Sequence, residues 1–224
     1  MQKFATTAPI AAVLDIPAGL IRFIAADRAD TTVEILPADA SKGRDVKAAE
    51  QTTAEYKDGV LRITAAPAKN RLLGNNSGYV EITVQLPAGS RVEAKTADAE
   101  FRGVGRLGDV TLESARATVK LDETAGAHLT LMAGDVTVGR LGGPARITTQ
   151  KGDLQVAEAL RGAVELTTQA GDITVGAARG VSATLDAGTA YGRVHNALAN
   201  TDGAAAGLNI RATTSYGDIT ARSN

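Results

Sequence analysis

The chain has no cysteine and no tryptophan, only two histidines, and aromatic residues fill 3% of its 224 positions. Without cysteine there are no disulfides and no thiolate metal sites. His128 and His195 are isolated, with no partner at metal-ligand spacing. Charge of one sign is also lacking. The 24 basic and 25 acidic residues leave a net charge of −1, and no Lys/Arg cluster compensates locally, which removes the electrostatic footprint of a nucleic-acid binder. No run approaches the ~18 consecutive apolar residues of a helical membrane span. Near the N-terminus, Asp15 and Arg22 interrupt the one apolar stretch that could serve as a signal-peptide core. The expectation is therefore a soluble, cytoplasmic protein.

What the chain does have is repetition. Gly134-Asp135-Val136-Thr137-Val138 returns as Gly152-Asp153-Leu154-Gln155-Val156, Gly171-Asp172-Ile173-Thr174-Val175 and Gly217-Asp218-Ile219-Thr220-Ala221. The Asp-to-Asp spacings are 18, 19 and 46 residues, and a degenerate copy, Gly192-Arg193-Val194, lies in the long gap. Self-similarity at such a period is a fold-level signature. Taking the residue after Gly-Asp as an anchor, Phe101, Val119, Val136, Leu154, Ile173, Val194 and Ile219 occupy it, all apolar. Seven residues earlier stand Ala94, Leu112, Leu129, Ile147, Leu166, Ala187 and Ala212. Five residues before the anchor, Thr96, Ser114, Thr149, Thr168, Thr189 and Thr214 form a hydroxyl column that only Leu131 interrupts.

Each copy reads as two short period-2 strands around a glycine turn, with no room for a helix. A two-stranded unit cannot bury its own apolar face, so neighbouring copies must pair. The sequence predicts an all-β fold, a β-solenoid of stacked two-strand rungs with a period of about 18 residues. Like residues would stack about 4.8 Å apart. Additional N-terminal β-strands precede the repeats, and a two-sheet sandwich is the alternative. The small aliphatic residues Ala, Leu, Val and Ile that make up most of the 44% hydrophobic content suit such layers.

Residues 91–224 carry the repeats, and residues 1–90 read as an N-terminal strand region, either a cap or the first part of the same solenoid. Asp58-Gly59 predicts a type I′ hairpin between Thr52–Lys57 and Val60–Ala65. Pro17-Ala18-Gly19 and Pro87-Ala88-Gly89 both predict tight turns between strands. The charged segment Ala40–Gln51 reads as an exposed connection with at most one helical turn, and Pro67–Gly78 reads as a loop.

Three constellations invite functional readings. Asp135, Asp153, Asp172 and Asp218 could form a cation ladder, but Asp after Gly more often binds backbone amides at its turn. Arg193 also breaks the column. Gly103-Val104-Gly105-Arg106-Leu107-Gly108 spells a dinucleotide fingerprint, yet strand residues follow it where a helix is required. The irregular copy around Tyr191, Arg193, His195 and Asn196 marks either a site or an accommodated insertion at Ala197–Gly207, and insertions are the commoner cause. No catalytic residues, metal ligands or cofactor are expected. Tyr191 and Tyr216 occupy equivalent turn positions and could bring two rings together.

Rungs such as Ala170-Gly171-Asp172-Ile173-Thr174-Val175 resemble those of a bacterial β-repeat family of candidate adhesins, the toast-rack type, a family of unknown function. Ala18-Gly19-Leu20-Ile21-Arg22 is similar to its first rung, and the cysteine-free Ala/Gly-rich composition is similar to that of its actinobacterial members. The resemblance implies stacked β-structure, no known catalysis, and in some members a link to envelope stress. The expected function is a non-enzymatic interaction or scaffold module. A carbohydrate- or envelope-binding adhesin-like protein is the alternative, with a polysaccharide-active β-helix enzyme behind it. In chain order the last rung, Leu208–Ala221, should end the stack with an open edge. The expected interaction edge is Tyr191, Arg193 and His195 with Tyr216, Asp218, Ile219 and Ala221, used for self-association or an unknown protein partner.

Overall fold

A computed structural model of the chain describes residues 1–66 and 78–224. Of the loop expected at Pro67–Gly78, residues 67–77 lie outside the described residues. The first elements are β1 (Gln2–Ala5), β2 (Ala11–Asp15), β3 (Ala18–Ala26), β4 (Asp30–Pro37), α1 (Gly43–Gln51), β5 (Thr53–Lys57), β6 (Val60–Thr64) and β7 (Val80–Pro87). A long extended path, β8 (Arg91–Ala133), follows, then β9 (Val136–Leu141), β10 (Ala145–Thr148), β11 (Leu154–Ala159), β12 (Gly162–Thr167) and β13 (Ile173–Ala177). The last are β14 (Ala183–Tyr191), β15 (Val194–Ala197), a 3-10 turn (Gly203–Ala205), β16 (Leu208–Tyr216) and β17 (Ile219–Ser223).

Rungs pair in parallel and in the register that the repeat requires. Val119 lies opposite Val136, Val136 opposite Leu154, Leu154 opposite Ile173, and Ile173 opposite Ile219. The earlier column is equally regular, with Leu129, Ile147 and Leu166 in line. The anchor column extends into the N-terminal region, because Ile21 pairs with Phe101 on one side and Ile82 on the other. These side chains are fully buried, and they form one continuous core with the Leu112 column.

Two interactions lock successive rungs together. At the Gly-Asp step, Asp153 N–H donates to Asp135 Oδ1 (2.9 Å), Asp172 N–H to Asp153 Oδ1 (2.8 Å) and Asp218 N–H to Asp172 Oδ1 (2.7 Å). Arg193 N–H then donates to Asp218 Oδ1 (2.8 Å). Inside the turn, Thr168 Oγ1 donates to Gly152 O, Thr214 Oγ1 to Gly171 O and Thr189 Oγ1 to Gly217 O, at 3.0–3.1 Å. Glycine is required at this step. Gly171 has φ +152°, and a Cβ there would lie 2.0 Å from Gly152 O on the neighbouring rung.

The order of rungs in space differs from their order in the chain. β16 pairs with β12 on one side and β14 on the other, and β17 lies between β13 and β15. The last rung of the sequence is thus inserted inside the stack, and the degenerate rung β14–β15 ends it. This corrects the expectation that Leu208–Ala221 forms the open edge. The side chains give the reason. Ile210, Ala212, Ile219 and Ala221 are all apolar and almost completely buried, whereas the equivalent set Leu185, Ala187, Val194 and Asn196 includes a polar residue, Asn196, which the end place leaves exposed. Charge favours the same order. The outward column runs Arg146, Glu165, Arg211, Asp186, with ion pairs Arg146–Glu165 (2.8 Å) and Arg211–Asp186 (3.1 Å). Chain order would set Glu165 beside Asp186, and like charges directly opposite are unfavourable.

The other end is built differently. β2–β3, first of the parallel rungs in the chain, is also inserted, between the β6–β7 rung and the start of β8. Beyond β6–β7 the direction reverses, because β5, β4 and then β1 pair antiparallel. The hairpin at Asp58 (φ 51°) and Gly59 (φ 79°) is the one expected. Gly89, with φ 79°, makes the Pro87 turn as expected, but Pro17-Ala18-Gly19 runs into β3 instead. Gly19 is needed there because a Cβ would sit 2.5 Å from Val80 O. The segment expected as a connection is a nine-residue helix, α1, packed on β4 and β7. Its polarity hid it. The buried anchor is Asp45, whose Oδ1 accepts Tyr79 N–H at 2.9 Å.

Ile173→Asp places an unpaired carboxylate at a fully buried position, a cost of about 4 kcal/mol or more. For a chain of this size the melting temperature should fall by roughly 8–16 °C, and an unchanged circular-dichroism melt would contradict the register. Asp172→Ala removes the acceptor of Asp218 N–H and should cost about 1–2 kcal/mol. Arg193→Asp adds a carboxylate where no further rung waits, and should change stability by less than about 0.5 kcal/mol. Urea denaturation of the two variants tests the contrast.

At the capped end, Asp30 binds Arg28 Nε (2.8 Å) and Lys3 Nζ (2.9 Å). The hydrogen bonds from Arg28 and then Lys3 lower its pKa from 3.8 to about 2. A depressed carboxylate contributes stability above its unfolded value and loses it as pH falls through the folded value. Protection of the Gln2–Ala5 amides, measured against their intrinsic exchange rates, should therefore fall between about pH 4 and pH 2, and Asp30→Asn should flatten that dependence.

Candidate functional site

The exposed, chemically varied part of the molecule is the terminal rung. Tyr191 and Tyr216 lie opposite each other on β14 and β16, and their rings stack with centroids 4.9 Å apart and planes 4° apart. They are 68% and 60% exposed, against near-complete burial of the tyrosine-free core. Tyr216 covers one face of Tyr191, and among the described residues no ring is paired with the other face. Lower in the same column stand Ala133, Lys151 and Ala170, so the aromatic pair is confined to the last two rungs.

Arg193, His195 and Asn196 follow Tyr191 in the turn and on β15 and are all exposed. Asp218 is exposed too, with its Oδ1 engaged by Arg193 N–H. Ile219 and Ala221, expected at the interaction edge, are fully buried between β13 and β15 and take no part in the surface. Instead the open edge consists of β14 and β15, each paired with one neighbour among the described residues. Sequence reasoning missed Leu185, Asp186 and Val194 as surface residues. Val194 is 46% exposed although its column is otherwise buried, because nothing stacks beyond it. Leu198–Gly207 closes only the start of this edge, where Ala183 N–H donates to Ala199 O (3.1 Å) and Ser182 Oγ accepts the Thr201 and Asp202 amides.

The Asp column does not gather around a common point. Each Oδ1 from Asp135 to Asp218 accepts an amide of the next rung, which also explains why Arg193 interrupts the column: the end rung has no successor whose amide needs an acceptor. Among the described residues no group of three His, Asp or Glu side chains is placed to hold a metal ion. His128 is exposed on β8, away from the terminal rung. Gly103–Gly108 is strand and corner within β8, with no helix after it.

An open groove of about 840 Å³ runs along one corner across successive rungs, floored by Gly108, Ala125, Gly143 and Gly162 and flanked by Arg106 and Arg161. Arg161 Nε is committed to Gly142 O at 3.2 Å. The glycines are there for packing: a Cβ on Gly108 would lie 2.5 Å from Gly89 O, and one on Gly143 2.7 Å from Ala125 O.

Among the described residues no helix is long and apolar enough to cross a membrane. No curated protein matches the sequence. Among solved structures, a candidate adhesin from Bacteroides fragilis superposes with a TM-score of 0.59 at 15% identity, covering 98% of this chain and 95% of that one. A candidate cell-adhesion protein from Clostridium sporogenes gives 0.41 at 13% identity, over 100% of this chain and 98% of that one. A candidate adhesin from Parabacteroides distasonis gives 0.43 at 13% identity, over 100% and 95%. At these identities the first likeness shows a shared fold. The family match is more direct, since it spans residues 88–222 and includes every Gly-Asp rung described above. Covering more than half of the chain, it makes this protein a member of the Toastrack DUF4097 family.

Proposed function

We propose that the protein is a non-enzymatic, adhesin-like interaction module that works through the open end of its stack. The observation that carries this reading is the terminal rung: an exposed, parallel-stacked Tyr191–Tyr216 pair beside β14 and β15, strands with an unused edge. The end opposite is covered by antiparallel strands and α1. Large, rigid tyrosine rings supply contact area at low conformational-entropy cost, which is why such residues anchor interfaces. The ladder carboxylates are engaged with backbone amides, so they serve the fold and not an acid–base pair.

A second reading, binding of carbohydrate, is favoured by the free face of Tyr191, since a pyranose packs flat on an exposed ring. The first reading places the protein in the cytoplasm and the second outside it, so fractionation of native cells separates them.

Affinity capture from native cells, with wild type and a Tyr191→Ser/Tyr216→Ser double variant, tests the site. The variant should lose the species that wild type retains, with its melting temperature within about 2 °C of wild type, as expected for exposed positions. Retention of the full set by the variant would show that the working surface lies elsewhere.

A further inference from the structure

We propose that the open edge of β14 accepts an extended strand from a partner polypeptide, parallel to β14, carrying a basic residue between two apolar ones and an aromatic residue five positions after the basic one. This rests on the reading that the stack's open end is the working surface, and adds the chemistry of what docks there.

The pattern follows from what each column lacks at its last position. Leu185 and Ala187 point to the stack interior and are only half-buried, so an apolar side chain opposite each would complete the core. Asp186, its side chain 73% exposed, has Arg211 at 3.1 Å on one side only. It ends an alternating series, Arg146, Glu165, Arg211, Asp186, which a further cation would continue. Tyr191 has one face on Tyr216 and offers the other to an aromatic side chain. The chain already holds a strand of this kind on the inner side of β14. In β16, Ile210, Arg211, Ala212 and Tyr216 meet Leu185, Asp186, Ala187 and Tyr191. On the outer edge the same four side chains lack a paired strand, and a row of backbone groups there would be satisfied by strand addition.

The exposed edge also limits what can bind. A further rung with the Gly-Asp step would bring an amide to Arg193, which has no carboxylate to receive it, so the end does not invite endless stacking of identical rungs. One strand on β14 avoids that mismatch, because the Gly-Asp step lies beyond Tyr191.

The test uses the full chain and a labelled synthetic peptide with the sequence of residues 208–217. Fluorescence anisotropy should show saturable binding, weakened about ten-fold by Asp186→Lys. A peptide in which the arginine is replaced by glutamate should bind wild type weakly and bind the Asp186→Lys protein at near the original strength. Amide exchange should slow at Thr184–Ala190, while β16 keeps its protection. Four outcomes would each overturn the proposal. They are no binding, binding indifferent to the charge swap, loss of β16 protection through displacement of the chain's own strand, and light scattering that shows a dimer from which the peptide is excluded. If the peptide fails while the double tyrosine variant still loses its captured species, the strand chemistry is wrong and the end surface stands.

Discussion

Everything in this molecule depends on how closely one rung can approach the next at the Gly-Asp step. The aspartate carboxylate reaches across to the following amide, the threonine hydroxyl returns to the glycine carbonyl, and the glycine has no Cβ to hold the backbones apart. These contacts set the spacing at which Val, Leu and Ile side chains stack in register. The apolar core supplies most of the stabilisation, but the polar step fixes its geometry. One carboxylate serves each junction from Asp135 to the end rung, and the chain omits it where that series ends.

The same economy separates what could be read from the sequence and what could not. Columns were legible because period-2 strands and an 18-residue repeat put equivalent residues at equal offsets, and a slip by one would turn the anchor outward. Neighbours were not. Alignment states that Ile219 and Val194 share a column without stating which lies next to Ile173. Two features carried that information: the Arg-Glu-Arg-Asp alternation, which needs Arg211 between Glu165 and Asp186, and Arg193 in place of the ladder aspartate. Reading them requires asking which rung can tolerate being last. The helix at Gly43–Gln51 was missed for a different reason, since its buried contact is a carboxylate capping the Tyr79 amide and not an apolar stripe.

For the site, the tyrosine pair was legible from equivalence of position, and the exposure of Arg193 and His195 from the irregularity of their rung. Ile219 and Ala221 belonged to the expected edge only because chain order was taken for spatial order. Their burial moves the edge by one rung, from β17 to β15 and from β16 to β14, and brings Asp186 and Leu185 to the surface.

The transposition has a consequence for how the fold comes apart. In a repeat array whose rungs follow chain order, the outermost unit shares one boundary with the rest and can peel away alone. Here β17 is hydrogen-bonded to both β13 and β15, so drawing it out severs two ladders at once and leaves β15 with nothing to rest on. β2–β3 is clasped in the same way near the start of the chain. Pulling either inserted rung out of the stack is therefore a concerted event instead of a stepwise one, which ties segments near both ends of the chain into the body of the stack.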